Sequence, residues 1–183
     1  MDLKDAYARV KRDADIVRQY LASKGVNQSE MVFGAISIRK STRIVMDNNG
    51  NRQQEIFDGY ELSQTVRIES RDVDKIEQIS REVTELINQG LEFYSQPPFY
   101  YYTKLADLKI KLLAAATADA RNRAEKIADN AHASLGHLQN ASMGVFQITG
   151  QNSNEEFSGG GNFNTSSKAK TASITAHLEF AVD

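Results

Sequence analysis

Asp129, His132 and His137 come closest in this chain to a metal-binding set. An Asp and a His at i,i+3 share one helix face, and an imidazole just past the helix end would be a third donor, the number an open zinc site takes from protein. The same residues also suit a solvated helix terminus, where histidine interacts favourably with the helix dipole. Spacing this loose assigns no metal. His177, the remaining histidine, alternates outward on a strand. Gly159-Gly160-Gly161 lacks the Gly-Lys-Ser/Thr ending of a phosphate loop and precedes a strand rather than a helix, so it reads as a loop. Glu155 and Glu156 fall in that same loop, where nothing in the sequence holds a catalytic geometry. No Gly-x-Ser-x-Gly elbow occurs. Tyr100, Tyr101 and Tyr102 beside Lys104 offer rings on which bases stack. Successive strand residues face opposite ways, however, and the net charge of -2 gives no field for nucleic acid. The chain is therefore read as non-enzymatic, with no catalytic, cofactor-binding or metal residues, no cofactor and no nucleic-acid partner.

With 40% hydrophobic and 25% charged residues, 183 residues suffice for one domain with a sizeable core. The absence of cysteine removes disulfides, thiolate nucleophiles and thiolate-bound metal. No run approaches the length of a membrane span. The first residues show no basic segment followed by an apolar run, as a targeting peptide would. The basic positions Lys4, Lys11, Arg12 and Arg18 interleave with Asp2, Asp5, Asp13 and Asp15, which makes a solvated face rather than a lipid-binding one. Asn27, Asn140 and Asn164 each open a glycosylation sequon, relevant only in a eukaryotic secretory pathway.

The longest regular stretch is 105–136. Its many alanines favour a helix, and a thin seam of Leu105, Leu108, Leu112, Ala116, Ala120, Ala124, Ile127 and Ala131 lets another backbone approach closely. Residues 2–24 form an amphipathic helix with the stripe Leu3, Tyr7, Val10, Ala14, Val17 and Leu21, stopped by Gly25. A strand over about 31–46, with a bulge at Gly34, turns through Asp47-Asn48-Asn49-Gly50-Asn51 into a return strand over about 55–69. A helix capped by Asp72 or Ser70 buries Val73, Ile76, Ile79, Val83 and Leu86/Ile87 and ends at Gly90. A strand over 91–102, interrupted by Pro97-Pro98, is expected to lie at a sheet edge or to be broken by a bulge. Strands over 136–149 and 168–182 flank a mobile Gly/Asn-rich loop at 150–167. The order αββαβ-αββ implies an α+β fold: one mainly antiparallel sheet with long helices on one face. Ala22–Gly25 and Ala133–Gly136 both read Ala-Ser-x-Gly before an antiparallel pair, which suggests a pseudo-repeat.

The run from Glu69 to Ile148 resembles the SIMPL domain family of bacterial envelope proteins. The resemblance rests on Ala116, Asp119, Ala120, Ala124 and Ala128 on a long helix followed by Leu135-Gly136 and a strand. Tyr102-Thr103-Lys104-Leu105, Leu108-Lys109 and Gly144-Val145-Phe146 are similar to the subgroup with a single N-terminal membrane anchor. It extends more weakly over the first helix and hairpin, so 1–183 is expected to be one such domain. Family members carry an anchor or signal and a first strand ahead of the helix that here begins at Asp2, so the chain is expected to be trimmed at its N-terminus. The loop at 150–167 matches no family motif.

The resemblance implies an α+β fold, a periplasmic or extracytoplasmic location, membrane attachment only through an N-terminal anchor, and self-assembly. It implies no catalytic residues, and some members are linked to stress tolerance. The expected function is that of a non-enzymatic envelope protein acting by homo-oligomerisation or by binding an envelope protein partner. The alternative is a small-ligand or metal-binding periplasmic module using the His132/His137 region or the aromatic segment before Lys104. If the alanine seam of the long helix is a packing surface, Ala120→Phe and Ala124→Phe should each cost roughly 1–3 kcal/mol by overpacking. Thermal melting checks this, and unchanged midpoints in both would place the seam on the solvent side.

Overall fold

The computed structural model describes residues 2–46 and 52–183; the turn expected at 47–51 lies outside them. Among the described residues are α1 (Leu3–Ser23), β1 (Met31–Met46), β2 (Arg52–Ile68), α2 (Val73–Glu82), α3 (Leu105–Asn130), β3 (Leu135–Met143), β4 (Gln147–Gly150), β5 (Lys170–Ser173) and β6 (Ala176–Val182). The fold is α+β and its strand pairing is antiparallel. The expected single sheet is instead three two-stranded pairs, β1–β2, β3–β6 and β4–β5. By their contacts the residues group into two compact units, Met1–Gln96 and Pro97–Asp183.

In the first unit, the apolar stripe of α1 sinks along its length: Leu3 and Tyr7 are exposed, while Val17 and Leu21 are buried. They meet Val26, Ile79, Val83, Leu86 and Leu91, with Met31, Val66 and Ile68 from the base of the hairpin closing the cluster. Leu21 and Leu86 keep 1% and 0% of their surface. Truncating either to Ala costs about 2–5 kcal/mol in cores of this kind. The helix expected to run to Gly90 is α-helical only through Glu82, then tightens into a 3-10 segment, Val83–Gln89, before Gly90 at φ 81°. Tightening keeps both Val83 and Leu86 inside.

Polar links bind the same elements. The Lys24 ammonium donates to the Glu82 carboxylate at 2.6 Å, tying the end of α1 to the end of α2. Glu30 accepts from the Ser70 hydroxyl at 2.5 Å and the Asn27 backbone N–H at 2.9 Å. Lys75 Nζ donates to the Gly25 carbonyl at 3.0 Å. Tyr20 lies under the Lys24 ammonium, 5.3 Å from ring centroid to nitrogen. Burial pushes the Tyr20 hydroxyl pKa up.

In the second unit, α3 packs on β6 and β3. Leu105, Leu108, Leu112, Ala116, Ala120 and Ala124 are half-buried and Ala128 is buried, so most of the expected seam faces the strands. Ile127 and Ala131 do not, and Ile127 is 71% exposed. The predicted strand over 91–102 is absent: Pro97 and Pro98 have no N–H to donate, and Tyr100 N–H to the Thr165 carbonyl at 2.8 Å is a lone backbone bond rather than a ladder. The predicted strands over 136–149 and 168–182 each break in two, at Gly144-Val145-Phe146 and at Ile174-Thr175. The Gly144 N–H still reaches the Thr175 carbonyl at 2.8 Å, so the two breaks face each other in one bent hairpin. The C-terminal end is tied back by paired Ser134–Asp183 backbone bonds of 2.9 and 3.0 Å.

The Ala-Ser-x-Gly match does not mark equivalent positions. α1 closes with Val26 N–H to Leu21 O and Gly25 N–H to Ala22 O, with Gly25 at φ 77°. α3 closes with Ala133 N–H to Ala128 O and His132 N–H to Asp129 O, with His132 at φ 56°. Both are Schellman ends, and the counterpart of Gly25 is His132, four residues before Gly136. This also accounts for His132, whose backbone carries a left-handed stop that glycine adopts more cheaply. Gly25→Ala should lower and His132→Gly raise the unfolding free energy, each by about 1 kcal/mol. Thermal midpoints moving in opposite directions check the assignment.

The charged links predict a pH response. Glu82, through the hydrogen bond from Lys24, and Glu30, through the one from Ser70, hold their pKa values below the ordinary 4.5. The stability they contribute is therefore present above that value and lost as pH falls through the lowered ones. Lys24 is held above 10.5, chiefly by its hydrogen bond to Glu82, so its contribution is present below that value and lost as pH rises through the raised one. Urea titrations across pH should show Glu82→Gln with a shallower acid loss than the unaltered chain; identical acid limbs would show that the pair contributes nothing.

Candidate functional surfaces

The residues expected to bear on metal binding stand apart from any cluster. His132 occupies the helix stop, His137 is exposed on β3, and His177 is exposed on β6 opposite Ser142. Asp129 pairs with Lys126 at 3.6 Å. Among the described residues no three His, Cys, Asp or Glu side chains gather as metal ligands, and no helix is long and apolar enough to cross a membrane. Phe99, Tyr101 and Tyr102 are exposed and Tyr100 is half-buried. Two features do stand out, one in each unit.

The first is the β1–β2 hairpin. Sixteen residues of β1 span about 50 Å at ~3.3 Å per residue, whereas the 21 residues of α1 span about 31 Å. α1 runs along β2 from a shallow groove of Asp2, Phe57, Asp58, Gly59 and Tyr60 to the hairpin base, where the Arg18 guanidinium sits 4.5 Å over the Phe33 ring. Past that groove the hairpin extends beyond the helix.

Register shows which face extends. Met31 and Phe33, opposite Ile68 and Val66, face the core. The bulge expected at Gly34 is present, its carbonyl accepting from Gln64 Nε2 at 2.7 Å. The extra residue there returns Ile36, Ile38, Lys40, Thr42, Ile44 and Met46 to the core side, in register with Gln64, Leu62, Tyr60, Phe57, Glu55 and Arg52. A second bulge at Asp58–Gly59 keeps Phe57 on that face, edge-on to Tyr60 at 5.2 Å. Ile44, Met46 and Phe57 continue the core face past its cover and are 48%, 62% and 54% exposed. Among the described residues neither outer edge bonds a third strand. β1 carries Arg39, Lys40 and Arg43 with no acid, while β2 carries Glu55, Asp58 and Glu61 along the matching stretch.

The second feature is the segment after β4, expected to be mobile. Every residue of β4 is buried, and its Gln147 organises the loop. Gln147 donates to the Ser158 carbonyl at 2.7 Å and accepts from Asn162 N–H at 2.7 Å. The Ile148 backbone bonds Asn162 and Asn164 at 2.6 and 2.9 Å, a short parallel bridge on the free side of β4. Gly161 lies so close that an added Cβ would come within 3.2 Å of the Phe146 carbonyl. The Lys109 ammonium caps Phe146 and Phe163 at 5.3 and 6.0 Å.

Glu155, which the sequence leaves without a fixed geometry, accepts from Gly150 N–H at 2.7 Å and from Asn164 Nδ2 at 2.5 Å. These bonds, the Gly150 one foremost, hold its carboxyl below the usual range. Lys170 Nζ donates to the Asn164 main-chain oxygen at 2.5 Å and to Oδ1 at 3.2 Å, and burial pulls its pKa down. Single-sequence patterns missed Gln147, Asn164 and Lys170 as a group; the one available signal was an amide and an amine flanking a Gly-rich stretch.

The family model for SIMPL, described as a protein of unknown function (DUF541), matches residues 1–180, and the chain belongs to that family. None of the curated proteins compared with it matches.

Proposed function

We propose that this SIMPL-family chain is a non-enzymatic cell-envelope protein that works by self-association, with a second copy docking on the β1–β2 hairpin. The observation that carries this reading is the core face running past its helix. Ile44, Met46 and Phe57 share one face with Thr42 and Glu55 and stay about half or more exposed, and large apolar side chains left exposed together mark an interaction site. Charge selects the partner. Pairing two β1 edges would set Arg39, Lys40 and Arg43 against their own copies, and like charges opposite one another are destabilising. Pairing β1 of one copy with β2 of the next sets them against Glu55, Asp58 and Glu61. Such a head-to-tail contact closes into a ring or runs on as a filament.

The extracytoplasmic setting is supported by the resemblance to envelope members of the family, and a part in stress tolerance is in keeping with it. Sedimentation at micromolar concentration tests the association. The unaltered chain should form species larger than a monomer, dissociating as salt screens the charged edges. Ile44→Asp combined with Met46→Asp should leave a monomer whose melting midpoint no longer rises with protein concentration. A strict monomer at low salt, or assembly indifferent to the double substitution, would overturn the reading.

A further inference from the structure

The loop after β4 gathers the four groups that amide exchange uses. An amine, Lys170 Nζ, sits beside a carboxamide carbonyl, 3.2 Å from Asn164 Oδ1. The Ser167 backbone N–H donates to the same Oδ1 at 2.8 Å, where negative charge would build as the amine adds to the carbon. The Glu155 carboxylate accepts from Asn164 Nδ2, the nitrogen that would leave, at 2.5 Å. Its other oxygen is anchored by Gly150 N–H at 2.7 Å and Ser153 Oγ at 3.3 Å, so the carboxylate is aimed rather than free. The backbone bonds of Asn164 and Asn162 to Ile148 hold the carboxamide end against β4.

We propose that Lys170 and Asn164 form an intramolecular amide cross-link, with Glu155 carrying the proton. The Nζ lone pair adds to Asn164 Cγ and the new N–C bond forms. The Cγ–Nδ2 bond breaks, Glu155 passes the proton lost by Nζ to Nδ2, and one ammonia departs. Atoms and electrons balance, and no oxidant or co-reactant enters. Proximity supplies the acceleration, since holding amine and carbonyl together makes their meeting an intramolecular step. Burial favours the neutral amine, the form that attacks. Glu155 does general acid–base work because it touches the leaving nitrogen. In a chain without cysteine, this linkage staples the loop to β5 as a disulfide would elsewhere.

Intact mass spectrometry of the full chain tests the proposal. The purified protein should weigh one ammonia, about 17 Da, less than its sequence mass. Trypsin, which cannot cut after an acylated lysine, should yield residues 127–168 joined to 169–183 as one branched species. Lys170→Arg and Glu155→Gln should each appear at full mass with separate peptides. A wild-type chain at full mass overturns the proposal whatever the variants do. Ammonia loss that survives Lys170→Arg assigns the change to imide formation at an asparagine and overturns it equally.

Discussion

One constraint governs the first unit: a two-stranded ladder about 50 Å long must keep its apolar side chains on one face. Side chains alternate with a period of two, so a single miscounted residue would turn Ile36, Ile38, Ile44 and Met46 to the wrong side. Of the three register shifts, those at Gly34 and at Asp58–Gly59 each absorb one residue and restore the face, and a third falls between Val45 and Met46. The core of Leu21, Leu86 and their neighbours is possible because the base of this ladder offers Met31, Val66 and Ile68 in step. The exposed extension follows from the same continuity. A hairpin that keeps one face through its bulges and runs beyond its covering helix leaves Ile44, Met46 and Phe57 exposed.

The second unit solves a different problem. Its strands are short or broken, and β4 contributes four buried residues of which Gln147 and Thr149 are polar. Buried polar groups are costly unless paired. Here Gln147 is satisfied by drawing the loop at 151–169 over itself, through Ser158 and Asn162. The loop is therefore shaped by the hydrogen-bond demand of one strand. That demand places Asn164 within reach of Lys170 and Glu155, so the chemistry of the loop follows from the packing of β4.

How much of this was legible in the residues depends on whether a feature is periodic. The helices α1 and α3, the Asp72 cap and the long hairpin with its bulge at Gly34 follow from local rules and are present, while the α1 stripe is buried only toward Val17 and Leu21 and the α3 seam fails at Ile127 and Ala131. SIMPL membership was legible too, in the pattern on α3 and the strand after it. Failures occurred where local signals competed. Gly136 looked like the end of α3, but the stop falls on His132, a non-glycine residue at φ 56° that no glycine signal marks. Pro97-Pro98 interrupts an apolar, aromatic run that otherwise reads as a strand. The polar loop was illegible for a further reason. Gln, Glu, Asn, Ser and Gly are the composition of a mobile segment, and only three-dimensional pairing shows that Gln147, Glu155 and Asn164 hold one another.

The uncovered hairpin face and the stability of the first unit are linked. A two-stranded hairpin is at best marginally stable in water, and ordering each residue costs about 1–2 kcal/mol of backbone entropy. Packing against α1 and the 3-10 segment offsets that cost at the base, where Met31, Val66 and Ile68 join the core. Around Ile44, Met46 and Phe57 the side chains remain in water, so cross-strand pairs such as Thr42–Glu55, bonded at 2.5 Å, contribute most of the local support. Such pairs give roughly 0.2–1 kcal/mol each, less than ordering consumes. A second copy seated on that face would add burial where the single chain has least. Its binding free energy would then appear partly as folding stability, rising with protein concentration by mass action. Association and order in the far half of the hairpin would then be one equilibrium, in which the charges of β1 and β2 select the partner and the apolar face holds it.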